Sequence, residues 1–162
     1  MSFPIRVATD RDADAAVSLW TEAYVTLGVG GRTAPYTAAD FAHSRRSGEV
    51  FVVDGRDGLA GVVALLPPGA AEQAVGEPGE AELSRLAVSA TERRAGIGKA
   101  LACFCEQRAR EAGWDAIALW SRPAQIESHR LYESLGYRRA PERDSADETG
   151  HGRLVFRLDL EP

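Results

Sequence analysis

The chain has 162 residues, the length of one ordinary domain, and its 44% hydrophobic and 27% charged residues are normal for a globular protein. Its 19 basic and 24 acidic residues give a net charge of −5, which argues against binding to nucleic acid or a membrane through bulk positive charge. No apolar run approaches membrane-spanning length, and the first residues lack the apolar core of a signal peptide. We therefore expect a cytoplasmic protein with a single domain over residues 1–162.

The first third of the sequence predicts a short strand at residues 5–7 and then an amphipathic helix. The helix has an apolar stripe at Ala13, Ala16, Val17, Trp20 and Tyr24. A glycine-rich segment follows, and Thr37 is placed to cap a short second helix. Two interpretations of this segment stay open: a plain connector, or a substrate-facing loop that carries Tyr36 and Phe41.

The middle of the sequence predicts three strands. Residues 50–53 and 59–66 are apolar and β-branched, and the turn sequence DGRDG between them predicts a hairpin. Residues 69–79 form a flexible loop before the third strand, at residues 80–88. Alternation in this strand places one set of side chains on the face opposite Leu83: Glu82, Ser84, Leu86 and Val88.

A turn and a helix follow the third strand. The apolar positions have helical spacing: Ile97, Leu101, Phe104, Cys105, Ala109 and Ala112. Gly113 is placed to end the helix. Cys103 and Cys105 project to different sides of it, so we expect two inert thiols, with Cys105 in the core, and no metal site.

The turn before this helix predicts a diphosphate site. Gly96 and Gly98 have no side chain to block a ligand. The free N–H groups at the helix start and the helix dipole attract anions. Arg93, Arg94 and Lys99 add positive charge.

The last third of the sequence predicts a strand, a helix and two strands. Residues 115–120 are short and apolar, as in a strand that is buried on both faces beside a parallel partner. The helix runs from Pro123 to Leu135, and Gly136 ends it. Its inner face carries Ser128, Leu131, Tyr132 and Leu135. Residues 137–140 and 154–160 are the two strands, with a polar loop between them.

Two motifs resemble those of the GNAT superfamily of acyl-CoA-dependent N-acetyltransferases. The first is R-x-x-G-x-G, as Arg93, Gly96 and Gly98, directly after a strand that reads LAV. The second runs over residues 125–137 as Q-x-x-S-x-x-L-Y-x-x-x-G-Y, where family members typically have N-x-x-A-x-x-L-Y-x-x-x-G-F. The element order is similar too. The resemblance implies an α/β GNAT fold, with a mixed central sheet of about seven strands flanked by about four helices.

The resemblance also implies that acetyl-CoA is the co-substrate. The residues that it assigns to acetyl-CoA binding are Leu86, Ala87, Val88, Arg93, Arg94, Ala95, Gly96, Ile97, Gly98, Lys99 and Gln125. Among these, the backbones of Leu86 and Val88 pair with the pantetheine arm as another strand does. The N–H of Val88 holds the thioester carbonyl.

Two catalytic candidates follow from the chemistry together with the resemblance. A lysine-like amine has a pKa near 10.4, so the reaction needs a base that removes its proton near neutral pH. We expect Glu82 to be this base, in a solvent-reachable cleft, with Glu80 as the reserve candidate and a solvated strand-edge carboxylate as the alternative. Tyr132 is the candidate acid for the leaving thiolate, and a core aromatic residue is its alternative. The histidines His43, His129 and His151 form no recognisable triad or metal set, and His129 is expected to face solvent.

The sequence therefore predicts an N-acetyltransferase that uses a direct ternary mechanism without a covalent enzyme intermediate. A small-molecule amine is the expected acceptor, and a protein or peptide amino group is the alternative. A non-catalytic acyl-CoA-binding domain is a rival from another class. A nucleotide binder is disfavoured: Arg93 and Ala100 break the Walker motif, and Leu101 breaks the dinucleotide fingerprint. The oligomeric state stays open, a homodimer included.

Overall fold

The computed structural model describes residues 3–93 and 95–161. Its strands are β1 Arg6–Val7, β2 Glu49–Gly55, β3 Gly58–Leu66, β4 Glu80–Val88, β5 Ala116–Ser121, β6 Arg138–Arg139, β7 Ser145–Ala146 and β8 Gly152–Asp159. Its helices are α1 Ala13–Thr21, α2 Ala38–Ser47, α3 Ile97–Glu111 and α4 Ile126–Ser134. The predicted mixed α/β class is confirmed. Within the described residues the sheet has eight strands, one more than expected.

The sheet order is β1-β2-β3-β4-β5-β8-β6, and β7 pairs with the outer part of β8. Neighbouring strands are antiparallel except β4 and β5, which are parallel and joined through α3. This is the parallel pair that the short apolar run of β5 predicted, since such a pair needs a long crossover connection. The pairing brings the end of β4 next to β5, where the candidate site lies.

Helices cover both faces of the sheet. On one face, Leu101 and Cys105 of α3 pack with Phe156 of β8 in a dry core. On the other face, Trp20 of α1 and Phe41 of α2 form a second core. Cys105 is buried as expected, whereas Cys103 is exposed. Of the described helices, none is long and apolar enough to span a membrane.

Local sequence signals explain where the helices begin and end. Thr37 caps the start of α2, as the sequence indicated, and Asp40 completes a reciprocal capping box with it. Gly113 (φ 77°) and Gly136 (φ 95°) adopt the left-handed conformation after α3 and α4. The start of α4 was predicted too early: the helix begins at Ile126, and Pro123 lies in the preceding turn.

The extra strand β7 lies in what was predicted to be a plain polar loop. Ser145 and Ala146 pair with Arg153 and Gly152 of β8. The segment returns to the sheet because the Asp147 carboxylate accepts hydrogen bonds from the backbone N–H groups of Thr149 and His151. A strand of two residues carries no periodic signal, so the pairing was not visible in the sequence.

Candidate active site

The strands β4 and β5 separate beyond Glu82. Their register pairs Glu80 with Ala116, Ala81 with Ile117 and Glu82 with Ala118, and it goes no further. The remainder of β4, as far as Val88, therefore presents an edge without a β5 partner. Such an edge can pair with an extended ligand.

A bulge bends β4 at this point. Val62 of β3 pairs with Ala87 and Ala64 pairs with Ser84, so two residues of β4 oppose one of β3. Arg85 has a left-handed φ of 53°, which is uncommon for a residue other than glycine. The indole N–H of Trp20 donates to the Arg85 carbonyl oxygen at 2.9 Å. The distant helix α1 thus holds the bulge in place.

The bulge overturns the predicted alternation of β4. Leu86 and Val88 pack in the same core cluster as Leu83, whereas Ala87 packs on the opposite face. The sequence analysis had placed Leu86 and Val88 on the face of Glu82, opposite Leu83. One extra residue in a strand exchanges the faces of every residue after it, so the simple period of two fails here.

An outer groove runs along the edge of β4 and the start of α3. Its volume is about 880 Å³. Nine of the eleven residues assigned to acetyl-CoA binding line it: Leu86, Ala87, Val88, Arg93, Gly96, Ile97, Gly98, Lys99 and Gln125. Ala95 is exposed outside the lining, and Arg94 lies outside the described residues.

The start of α3 is suited to an anionic group. The first bond of the helix runs from the Ala100 N–H to the Gly96 carbonyl oxygen, which leaves the N–H groups of Ile97, Gly98 and Lys99 without intrahelical acceptors. Gly96 has φ 90° and opens the turn. A Cβ at Gly98 would make only ordinary contacts of 3.5 Å or more, so a side chain there would occupy groove space without straining the fold. The groove therefore fits a diphosphate and an extended arm.

An inner cavity of about 280 Å³ adjoins the outer groove. Five residues line both spaces: Tyr24, Val29, Leu86, Gln125 and Ser128. Glu82 and Tyr132, the two catalytic candidates, line the inner cavity. Two ligands bound in the two spaces would meet at this junction.

Glu82 is buried rather than solvent-reachable, which corrects the expected environment. Only 1% of the surface of Glu82 is exposed to solvent. Oε1 accepts hydrogen bonds from the N–H groups of Ala74 (3.0 Å), Val75 (2.8 Å) and Gly76 (3.0 Å). Oε2 shares only the Ala74 N–H, at 3.1 Å. Desolvation raises the pKa of Glu82, although these three N–H groups act in the opposite direction.

Glu80 cannot serve as the reserve base. Its carboxylate accepts hydrogen bonds from Arg143 at 2.8 Å and from Arg157 at 2.6 Å. Although burial acts in the opposite direction, these guanidinium groups lower its pKa. Glu80 does not line the inner cavity. It is a buried ion-pair partner, and of the two glutamates Glu82 is the one that lines the inner cavity.

Tyr132 of α4 belongs to the core and also borders the inner cavity. The ring is 6% exposed and packs edge-on against Tyr137, with 5.6 Å between centroids. Burial raises its pKa well above the ordinary value of a phenol. The hydroxyl is therefore protonated at neutral pH, as a hydrogen-bond donor must be.

Three other predictions have mixed outcomes. The Gln125 side chain is already engaged: its Oε1 accepts from the Arg122 N–H at 2.8 Å. Of the two aromatic residues proposed to face a substrate, Tyr36 lines the inner cavity, whereas Phe41 is 2% exposed in the second core. His129 is partly buried, not solvent-facing, with its ring 5.3 Å from that of Phe156.

The sequence analysis missed the guanidinium groups of the inner cavity. Arg32, Arg85, Arg122 and Arg153 all line it, together with Trp120. One available signal was the alternation of β8, which puts Arg153 and Arg157 opposite the apolar Leu154 and Phe156. Charged side chains on an inner strand indicate a polar cavity over that face. Among the described residues no group of His, Cys, Asp and Glu side chains could hold a metal ion.

A family comparison agrees with the fold. The family model described as "Acetyltransferase (GNAT) family" matches residues 13–137, more than half of the chain. The chain therefore belongs to the GNAT acetyltransferase family. Members use acetyl-CoA as co-substrate and transfer its acetyl group to an amine acceptor, so this protein is an acyl-CoA-dependent acetyltransferase by family.

Solved structures share the fold at low sequence identity. An N-acetyltransferase from Staphylococcus aureus Mu50 aligns with a TM-score of 0.76 at 17% identity, over 99% of this chain and 100% of that one. Ard1 from Thermoplasma volcanium aligns with a TM-score of 0.75 at 18% identity, over 100% of both chains. The ribosomal-protein-S18-alanine N-acetyltransferase from Escherichia coli aligns with a TM-score of 0.72 at 19% identity, over 98% of this chain and 94% of that one. A search of curated proteins finds no significant match.

Proposed function

We propose that the protein is an N-acetyltransferase that moves the acetyl group of acetyl-CoA directly to a primary amine, with both substrates bound together. The observation that carries this proposal is the position of Glu82 and Tyr132 in one cavity that opens into the outer groove. A base and an acid at such a junction are the two groups that an attack by an amine on a thioester needs.

In the proposed mechanism acetyl-CoA occupies the outer groove and the amine occupies the inner cavity. Glu82 takes the proton of the bound ammonium, and its raised pKa suits that task near neutral pH. The amine nitrogen then forms a bond to the thioester carbon while the carbon–sulfur bond breaks. The backbone N–H of Val88 stabilises the carbonyl oxygen, and Tyr132 gives its proton to the leaving thiolate. The attacking nitrogen carries an extra proton once its new bond has formed; it releases this proton to solvent and the Tyr132 phenolate takes one up, so the products are a neutral amide and a thiol.

The size of the inner cavity supports a small-molecule acceptor. Its volume of about 280 Å³ lies just below the range of small-ligand sites, about 300–1,000 Å³, so it has room for a small acceptor only. The alternative is a protein amino group, the kind of substrate named for the E. coli neighbour. That likeness, at 19% identity, concerns the fold and does not transfer the substrate.

Two measurements test the proposal. Calorimetric titration with acetyl-CoA, with ATP as the matched control, tests the groove. A thiol-release assay over a panel of small amines and short peptides then tests transfer. Turnover with small amines supports the proposal. Turnover confined to peptides would show that the acceptor is a peptide or protein amino group and not a small molecule. Acetyl-CoA binding without turnover of any amine would identify an acyl-CoA-binding domain instead.

A further inference from the structure

The inner cavity contains four guanidinium groups, and three of them have partners. Arg32 pairs with Asp40 at 2.9 Å, and Arg122 pairs with Asp147 at 2.9 Å. Arg85 contacts Glu72 at 3.3 Å. The fourth is Arg153, whose side chain takes part in none of the side-chain ion pairs and hydrogen bonds of residues 3–93 and 95–161. Its Nε is buried and lacks an acceptor. The residue as a whole is half-buried, but a buried N–H donor without an acceptor is costly, and a bound anion would supply the acceptor.

The fold holds Arg153 on the same sheet face as Glu82. Glu82 pairs across β5 with Ala118, which pairs with Arg157 of β8. Arg153 is four residues before Arg157 and therefore shares its face. The two arginines differ in one respect: Arg157 is neutralised by Glu80 at 2.6 Å, whereas Arg153 is not neutralised. The charge of Arg153 also acts on Glu82, where it opposes the rise in pKa that burial causes.

The indole of Trp120 helps to orient this guanidinium. The Arg153 Cζ lies 5.2 Å from the Trp120 ring centroid, and the Arg122 Cζ lies 4.6 Å from it. Stacking on an aromatic ring holds a guanidinium plane while leaving its N–H edge free to meet a planar anion.

We propose that Arg153 binds a carboxylate of the acceptor, so that the substrate class is an amine that also carries a carboxylate group. This rests on the proposed N-acetyltransferase activity and names its substrate. One unpaired positive charge matches one negative charge, whereas a phosphate monoester carries about −1.5 to −2 near pH 7. A small cavity also favours the smaller anion. In the bound complex the amine faces Glu82, and the carboxylate accepts hydrogen bonds from Arg153.

The first test uses the unmodified protein and pairs of amines of similar size, one with and one without an anionic group, each compared at a pH-corrected concentration of the neutral amine. Each amino acid is assayed against its own neutral amide, and phosphoethanolamine is assayed against ethanolamine. We expect kcat/KM for the carboxylate member to exceed that for the amide by roughly 10- to 100-fold, the usual effect of a charged hydrogen bond. Equal rates for both members, or a stronger preference for the phosphate compound, would overturn the proposal without affecting the acetyltransferase assignment. Acetylation of no amine at all would instead overturn the proposed function.

The second test assigns the preference to Arg153. Arg153→Gln should raise KM for the carboxylate member and bring the ratio of the two kcat/KM values close to one, which removes the preference. A change that acts through the pKa of Glu82 affects both members alike and cancels in this ratio. Arg153→Lys should retain part of it, because the charge remains while the fork geometry is lost. Arg138→Gln is the matched control, since Arg138 is exposed in β6 outside both cavities. A preference that survives Arg153→Gln would overturn the assignment to this residue. If that variant does not fold, the amine pairs still decide the substrate class.

Discussion

The N–H of Val75 donates to Oε1 of Glu82 at 2.8 Å, and the neighbouring N–H groups of Ala74 and Gly76 converge on the same oxygen. One carboxylate oxygen therefore holds the loop before β4. The other oxygen keeps most of its accepting capacity, because it shares only the Ala74 N–H. This division lets Glu82 hold the loop and still accept a proton.

Glu82→Gln should separate these two roles. A glutamine can keep its single oxygen at the Oε1 position and retain the loop, but it cannot accept the proton. We expect kcat/KM near neutral pH to fall by roughly 100-fold, with acetyl-CoA affinity unchanged. The deficit should shrink as the pH approaches the pKa of the amine, where no base is needed. A pH–rate profile for both proteins measures this.

The control for this prediction is thermal stability. Glu82→Ala removes the acceptor of all three N–H groups and should lower the melting temperature, whereas Glu82→Gln should nearly preserve it. Identical pH–rate profiles for Glu82→Gln and the unmodified protein would exclude Glu82 from the mechanism.

Gly98→Val tests the outer groove. The added Cβ makes ordinary contacts with Leu131 and Val88, so the fold should persist. The side chain fills space that the diphosphate needs, and we expect about 1–3 kcal/mol weaker acetyl-CoA binding by calorimetry. Arg93→Ala should weaken acetyl-CoA binding less, by about 1 kcal/mol or below. This loss of affinity should shrink at high salt because Arg93 is exposed. Unchanged affinity in both variants would show that the cofactor lies elsewhere.

Tyr132→Phe tests the proposed acid. The ring still packs against Tyr137, so stability and acetyl-CoA affinity should hardly change. If the phenol protonates the thiolate, kcat should fall by roughly 10-fold or more. Because burial raises the pKa of Tyr132, the acid stays protonated and should cause no alkaline loss of activity below pH 10. Full turnover by the variant would leave Tyr132 as a packing residue.

Features encoded within short segments could be predicted from the sequence. The Arg93, Gly96 and Gly98 spacing identified the outer groove, and nine of the residues assigned to it lie together. The capping of α2 and the parallel pairing of β4 with β5 also depend on neighbouring residues, on periodicity and on chain order.

Features that depend on distant partners could not be predicted. The bulge at Arg85 is held by Trp20, 65 residues away, and by the Tyr24 hydroxyl, which donates to the Leu86 carbonyl oxygen. Likewise, Glu80 and Glu82 are equivalent in the sequence. Arg143 and Arg157, 63 and 77 residues after Glu80, neutralise Glu80. Glu82 instead accepts hydrogen bonds from backbone N–H groups of the loop before β4.

The ion pairs of Glu80 predict how stability depends on pH. Its pKa in the folded protein is lowered, so the native state binds fewer protons there than the unfolded chain. The stabilisation is present above the unfolded pKa, near 4.3, and is lost as the pH falls through the lower folded value. Glu80→Gln should destabilise the protein by about 3 kcal/mol at neutral pH, because two guanidinium groups lose their buried carboxylate partner and keep only the exposed Glu77 and Asp159. It should also flatten the loss of stability below pH 5.

Urea unfolding between pH 3 and pH 7 measures both effects, and Glu142→Gln, an exposed neighbour of Arg143, is the matched control. Parallel stability curves for Glu80→Gln and the unmodified protein would show that Glu80 contributes nothing to the acid dependence.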